Sequence, residues 1–213
     1  MTNYEQMKDI LNEYSHSYDP MAVIESNLSD VSVNDVDKNK PVMVYENTRM
    51  NMKVISMDEI AHKIYRVAHF QESTKVSESP ASADGFVISS ENIWYFIEFK
   101  DQKISKARES VIKKAYQNWY WLLDILYEMR YKNSCQIFDY DNPISFAKEN
   151  VVYILVVSED KNIVDVDKMR KCILADMKFQ PECMKKLEKY IFKDAYVYTP
   201  ELLEREFVKK FEY

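Results

Sequence analysis

Two apolar runs, residues 86–88 and 93–99, flank a polar tip, Ser89-Ser90-Glu91-Asn92. β-Branched and aromatic residues around a Ser/Asn turn predict a hairpin. Upstream, the mixed pattern of residues 3–14 predicts a short helix, and residues 15–40, rich in Asp, Ser and Asn, predict a mobile arm. Residues 42–45 and 52–55 read as short strands joined through Asn47-Thr48-Arg49. Ser56 followed by Glu59 is a capping box that opens a helix through about residue 68. Residues 71–83 are Ser/Glu-rich and read as a loop leading into Asp84.

Downstream, apolar positions Ala107, Val111, Ala115, Trp119, Leu122, Leu126 and Met129 step by three and four, which predicts a long helix over residues 105–131. Residues 151–157, VVYILVV, form a continuous apolar run, the pattern of a strand buried on both faces. Helices are expected over 166–178 and 181–191, a strand over 195–198, and a terminal helix capped by Thr199 with Pro200 at its first position. Helices and strands mixed around one buried strand predict an α/β fold, a three-layer α/β/α sandwich with a central mixed sheet. No repeat or Gly/Ser linker divides the chain, so residues 41–213 are expected to form one domain. Residues 1–40 then form an acidic N-terminal helix and arm.

With 213 residues, 46% of them hydrophobic, the chain is long enough for one well-packed core. No run approaches the roughly 20 apolar residues of a membrane span. Met1-Thr-Asn-Tyr-Glu-Gln lacks a basic-then-apolar leader, so a cytoplasmic location and no membrane partner are expected. Cys135, Cys172 and Cys183 show no close ligand spacing and are expected to be reduced thiols. His16, His62 and His69 form no zinc pattern.

Charge is uneven. Residues 1–60 hold 5 Lys/Arg against 11 Asp/Glu, a balance of −6, and the remainder holds 24 against 24. The acidic N-terminal segment could therefore bind a protein partner. Residues 100–114 carry six cations, Lys100, Lys103, Lys106, Arg108, Lys113 and Lys114, against Asp101 and Glu109. This is either a solvated helix face or a set of phosphate contacts. Trp119, Tyr120 and Trp121 could stack on bases or belong to the core, and Gln117 and Lys113 could face the same side as the hairpin.

The candidate chemistry lies on the hairpin. Strand residues alternate faces, so Glu98 and Lys100 point one way and Phe99 the other. Folding the hairpin back brings Asp84 near the end of the second strand. Two carboxylates and a lysine at one sheet end suit Mg²⁺ or Mn²⁺, which take hard oxygen ligands, with the Phe99 carbonyl as a neutral third. Lys100 could serve an attacking water or the phosphate. The bland alternative is a same-face ion pair between Glu98 and Lys100.

Asp84, then a hairpin, then Glu98-Phe99-Lys100, then a long helix resembles the core of the PD-(D/E)XK nuclease superfamily. Within it, YFIEFK followed by a basic stretch and an aromatic helix is similar to a bacterial branch. The resemblance covers about residues 40–213, with Ala83 rather than proline before Asp84. It implies a restriction-endonuclease-like fold and metal-dependent hydrolysis of nucleic acid. Asp84 and Glu98 would hold Mg²⁺ or Mn²⁺, Lys100 would be catalytic, and Lys103, Lys106, Arg108 and Lys113 would bind substrate. A further helical acid is implied, for which Glu59, Glu72 and Glu78 compete. A homodimer would suit cutting of both strands. The other expectation is a catalytically inactive protein of the same fold that binds protein or nucleic acid.

Overall fold

The computed structural model describes residues 1–34, 41–46, 52–69, 80–131 and 136–213. Chain order is α1 (Asn3–His16), β1 (Glu25–Asn27), β2 (Val33–Asn34), β3 (Val42–Met43), β4 (Lys53–Ser56), α2 (Met57–Glu59), a π-helical turn (Ile60–Tyr65) and α3 (Arg66–His69). Then come β5 (Gly85–Ile88), β6 (Trp94–Lys100), α4 (Ile104–Met129), α5 (Pro143–Asn150), β7 (Val151–Val157), α6 (Ile163–Leu174), α7 (Glu182–Tyr190), β8 (Asp194–Tyr198) and α8 (Pro200–Glu206). Six strands form one sheet in the order β1-β4-β5-β6-β7-β8. The β1, β4, β5 and β6 pairings are antiparallel, whereas β6–β7 and β7–β8 are parallel. The fold is α/β with a mixed sheet flanked by helices.

β7 is buried throughout and sits between two neighbours, as its unbroken apolar run requires. The parallel pairs need crossovers, which α4 with α5, and α6 with α7, supply. Trp94, Phe96 and Glu98 face α4, while Tyr95 on the other face packs against Phe207 and Phe211, just beyond α8. No helix is long and apolar enough to cross a membrane among the described residues.

Several elements depart from the sequence pattern. Residues 25–34 are not a mobile arm: β1 joins the main sheet against β4, and Ile24 and Leu28 are buried beside it. Residues 42–45 do not form a hairpin with 52–55, because Val42 and Met43 pair with β2 in a separate two-stranded ladder. The Ser56 capping box is half made: Ser56 Oγ accepts from Glu59 N at 3.3 Å, but the Glu59 carboxylate turns to Lys63 at 2.8 Å. α5 occupies a polar stretch around Pro143 for which the sequence pattern predicts no element. Its Asn142 side chain accepts from Ser145 N at 3.1 Å with Pro143 at the first turn, an ordinary N-terminal cap. α6 starts earlier than expected and stops at Leu174, and Asp176 then turns the chain away at φ 53°.

Gly85, the chain's only glycine, has no positive φ. An added Cβ would meet Val31 Cγ2 at 3.4 Å and Val54 Cγ2 at 3.6 Å, an ordinary packing contact. Gly85→Ala is therefore expected to change stability by no more than about 1 kcal/mol, because lost unfolded-chain entropy favours alanine. Thermal unfolding checks this, with a shift of about 4 °C or less expected.

Candidate active site

Asp84 ends the loop into β5 and is fixed through its backbone: its N–H donates to Ile97 O at 3.0 Å, and its carbonyl accepts from Met57 N at 3.3 Å. Its Oδ2 accepts from Phe99 N at 2.6 Å. Ile97 and Phe99 turn their backbone groups toward β5, and β5 begins at Gly85 opposite Ile97. The Phe99 carbonyl therefore lies beside Asp84, past the end of the β5 ladder. Glu98 projects from the opposite face to Phe99, whose ring stacks on Tyr45.

Glu98 is fully buried, at 0% exposure. Its Oε1 lies 2.6 Å from Lys100 Nζ, so the predicted same-face meeting of Glu98 and Lys100 is present. The structure adds a residue that strand alternation did not supply, Lys114 on α4. Its Nζ is 3.2 Å from Asp84 Oδ1, 3.0 Å from Glu98 Oε2 and 2.8 Å from Glu98 Oε1. One ammonium thus bridges a carboxylate just ahead of β5 and one on β6. Despite these two near ammoniums, Glu98 Oε1 accepts no aligned hydrogen bond.

α4 also locks the approach to Asp84. Gln117 Oε1 accepts from Ala81 N at 2.8 Å, Asn118 Oδ1 accepts from Ala83 N at 3.0 Å, and Trp121 Nε1 donates to Ala81 O at 3.2 Å. Two backbone donors before Asp84, those of Ala81 and Ala83, are thereby paired inside the protein.

Of the three acids that compete as a further ligand, Glu59 alone lies among the described residues, where it pairs with Lys63; Glu72 and Glu78 lie outside them. Asp58, next to Glu59 and half exposed, takes a bond from the Ser82 hydroxyl and lies 3.3 Å from His62 Nε2. Burial pushes Asp58 up, but the bond to His62, the Lys114 charge and the Ser82 hydroxyl outweigh it and hold its carboxyl low. Asp84 goes the other way. Burial and then the Glu98 charge push it up to about 8, against the pull of Lys114 and the Phe99 N–H. Burial lowers Lys114, yet Asp84, Glu98 and Asp58 together hold it well above an ordinary lysine. The opposite shifts of Asp84 and Lys114 agree physically. Three acids, Asp58, Asp84 and Glu98, face two ammoniums, so lysine keeps its proton while the excess negative charge is resisted.

Asp84, Glu98 and the Phe99 carbonyl are hard oxygen donors of the kind Mg²⁺ takes, and two carboxylates are enough when waters and substrate complete the shell. In that respect the residues fit the ion. Among the described residues, no group of three or more His, Cys, Asp or Glu converges to hold a metal.

The proposed substrate cations divide by side of α4. At about 100° per residue, Lys103 and Lys106 lie within about 80° of Lys114, and Lys113 about 100° away. All three are exposed. Arg108 lies on another side and is tied to Glu182 of α7 at 2.9 Å. Trp119 and Trp121 are buried, so of the three neighbouring aromatics only Tyr120, 72% exposed, is offered to solvent. A cleft of about 410 Å³ is lined by Tyr196 and Tyr198 on the sheet face opposite Glu98, so it is separate from this cluster.

No family model, curated protein or solved structure matches this chain.

Proposed function

We propose that this protein is a metal-dependent nuclease, a PD-(D/E)XK-type phosphodiesterase on a restriction-endonuclease-like α/β/α scaffold. One observation carries the reading: the Asp84 carboxylate, just ahead of β5, and the Glu98 carboxylate, on β6, converge on a single cation position with Lys100 beside Glu98. Asp84, Glu98 and the Phe99 carbonyl would hold Mg²⁺ or Mn²⁺. When bound, the ion would supply Lewis-acid polarisation of a phosphoryl oxygen and a more acidic water. Lys100 would stabilise charge developing on the scissile phosphate, and it is held in place by Glu98 at 2.6 Å. Lys103, Lys106 and Lys113 would position the phosphodiester backbone through contacts that weaken as salt rises.

A second reading is favoured by Lys114. Its ammonium already balances both carboxylates, as suits a catalytically inactive protein of the same fold that binds nucleic acid or protein.

Single- and double-stranded DNA and RNA, incubated with Mg²⁺ and then Mn²⁺, separate the two. The nuclease reading expects metal-dependent cleavage by wild type. In folded Glu98→Gln and Lys100→Ala it should fall to about one-hundredth or less, the scale of losing one charge-stabilising group. Equal activity in all three would remove this site from the chemistry. Absence of cleavage, with no metal-induced rise in melting temperature, would leave the binding protein.

A further inference from the structure

We propose that Lys114 is the resident counter-cation of this site, and that a divalent metal enters only by displacing it from between Asp84 and Glu98. The inference rests on the metal-site reading above and adds a residue outside the Asp84, Glu98, Lys100 set.

Three observations carry it. First, the Lys114 ammonium touches both carboxylates at 2.8–3.2 Å, the place shared by the two acids. A metal bridging Asp84 and Glu98 needs that same place, and two cations so close would repel.

Second, Lys114 arrives from a different element than the acids. Asp84 and the Glu98 strand are held by Ile97 O, Met57 N and Phe99 N, and none of these contacts involves Lys114. The helix is held to the same region by Gln117 and Asn118, again without its help. The ammonium can therefore swing out on its four-carbon stem while the acids and α4 stay fixed. Lys100 differs, since it shares a strand with Glu98 and approaches that one acid.

Third, the site retains a demand for positive charge. Asp58, Asp84 and Glu98 bring three carboxyl groups toward two ammoniums, those of Lys100 and Lys114. A divalent ion answers that demand better than a single ammonium. Mutual exclusion then makes Lys114 a negative determinant of metal affinity, and by reciprocity the metal loosens Lys114.

Isothermal titration of Mn²⁺ into metal-free wild type, Lys114→Met, Lys114→Gln and Asp84→Asn tests this, with circular dichroism confirming the fold. Both Lys114 variants should bind Mn²⁺ about tenfold more tightly than wild type, within the usual range of site-to-site coupling. Asp84→Asn should lose binding. Lys114→Gln keeps an amide donor for the carboxylates, so it serves should the methionine variant not fold.

A second measurement needs no variant. Acylation of Lys114 in wild type, followed by mass spectrometry against Lys103 as the internal standard, should accelerate when Mn²⁺ is added. Unchanged or weaker Mn²⁺ binding in both variants beside measurable wild-type binding, or no acceleration of labelling, overturns the inference and leaves the nuclease reading intact. Absence of Mn²⁺ binding in wild type and both Lys114 variants overturns the two together.

Discussion

Trp94→Ala lowers the unfolding free energy by about 3–5 kcal/mol, the range for deleting a large buried aromatic. Its indole is wholly buried and meets Phe86, Trp119, Phe138 and Phe146 at ring-centroid distances of 4.8–6.3 Å. These partners come from β5, α4, the segment before α5, and α5 itself, so one deletion opens a gap where four parts of the chain meet. Its Nε1 also donates to Asn92 Oδ1 at 3.0 Å. Asn92 holds the hairpin turn at φ 61° and ties it to Ile137 O at 2.9 Å. Asparagine tolerates that left-handed turn better than most residues. Thermal unfolding should drop by about 10 °C. Trp94→Phe keeps much of the ring packing and loses the bond to Asn92, so its smaller loss separates packing from the turn. An alanine effect under about 1 kcal/mol would mean that this aromatic cluster is not a keystone of the fold.

The same strand that anchors Trp94 presents Glu98 four residues on, and this is why the hairpin and its acids were legible from the sequence. Alternation within one strand is local, and it places Glu98 with Lys100 and against Phe99 with no knowledge of what packs above. Lys114 was not legible for the converse reason. Trp119, Tyr120, Trp121, Leu122 and Leu123 broaden the apolar stripe of α4, so periodicity does not single out which polar residue at its border faces the hairpin. Gln117 and Lys113 were therefore as plausible as Lys114. The rotation is set by the bonds of Gln117, Asn118 and Trp121 to residues 81–83, a long-range fact. Asp58 had a faint signal, an acid in the first turn of a helix whose cap is Ser56, but Glu59 carried the same one. The strand of residues 25–27 could not be read either, because three residues give no period and their pairing comes from β4.

Lys114→Met is expected to destabilise the metal-free protein by about 3–5 kcal/mol, the cost of leaving a buried charge without its partner. The carboxylates it leaves behind are poorly hydrated: Glu98 is fully buried and Asp84 nearly so. Only Lys100 then faces Glu98, and Asp84 loses its ammonium altogether. Adding Glu98→Gln to that background removes one of the stranded charges and should restore a large part of the loss. The two substitutions will be non-additive, with a coupling energy in the range of about 0.5–3 kcal/mol for contacting groups. Urea unfolding of wild type, both single variants and the double variant measures it. Additivity within about 0.5 kcal/mol would contradict the contacts at 2.8 and 3.0 Å. A strong coupling has a further consequence. A buried ion pair is often no better for stability than neutral packing of the same volume. A double variant close to wild type in stability would then place the reason for these charges outside folding, in what the cluster binds.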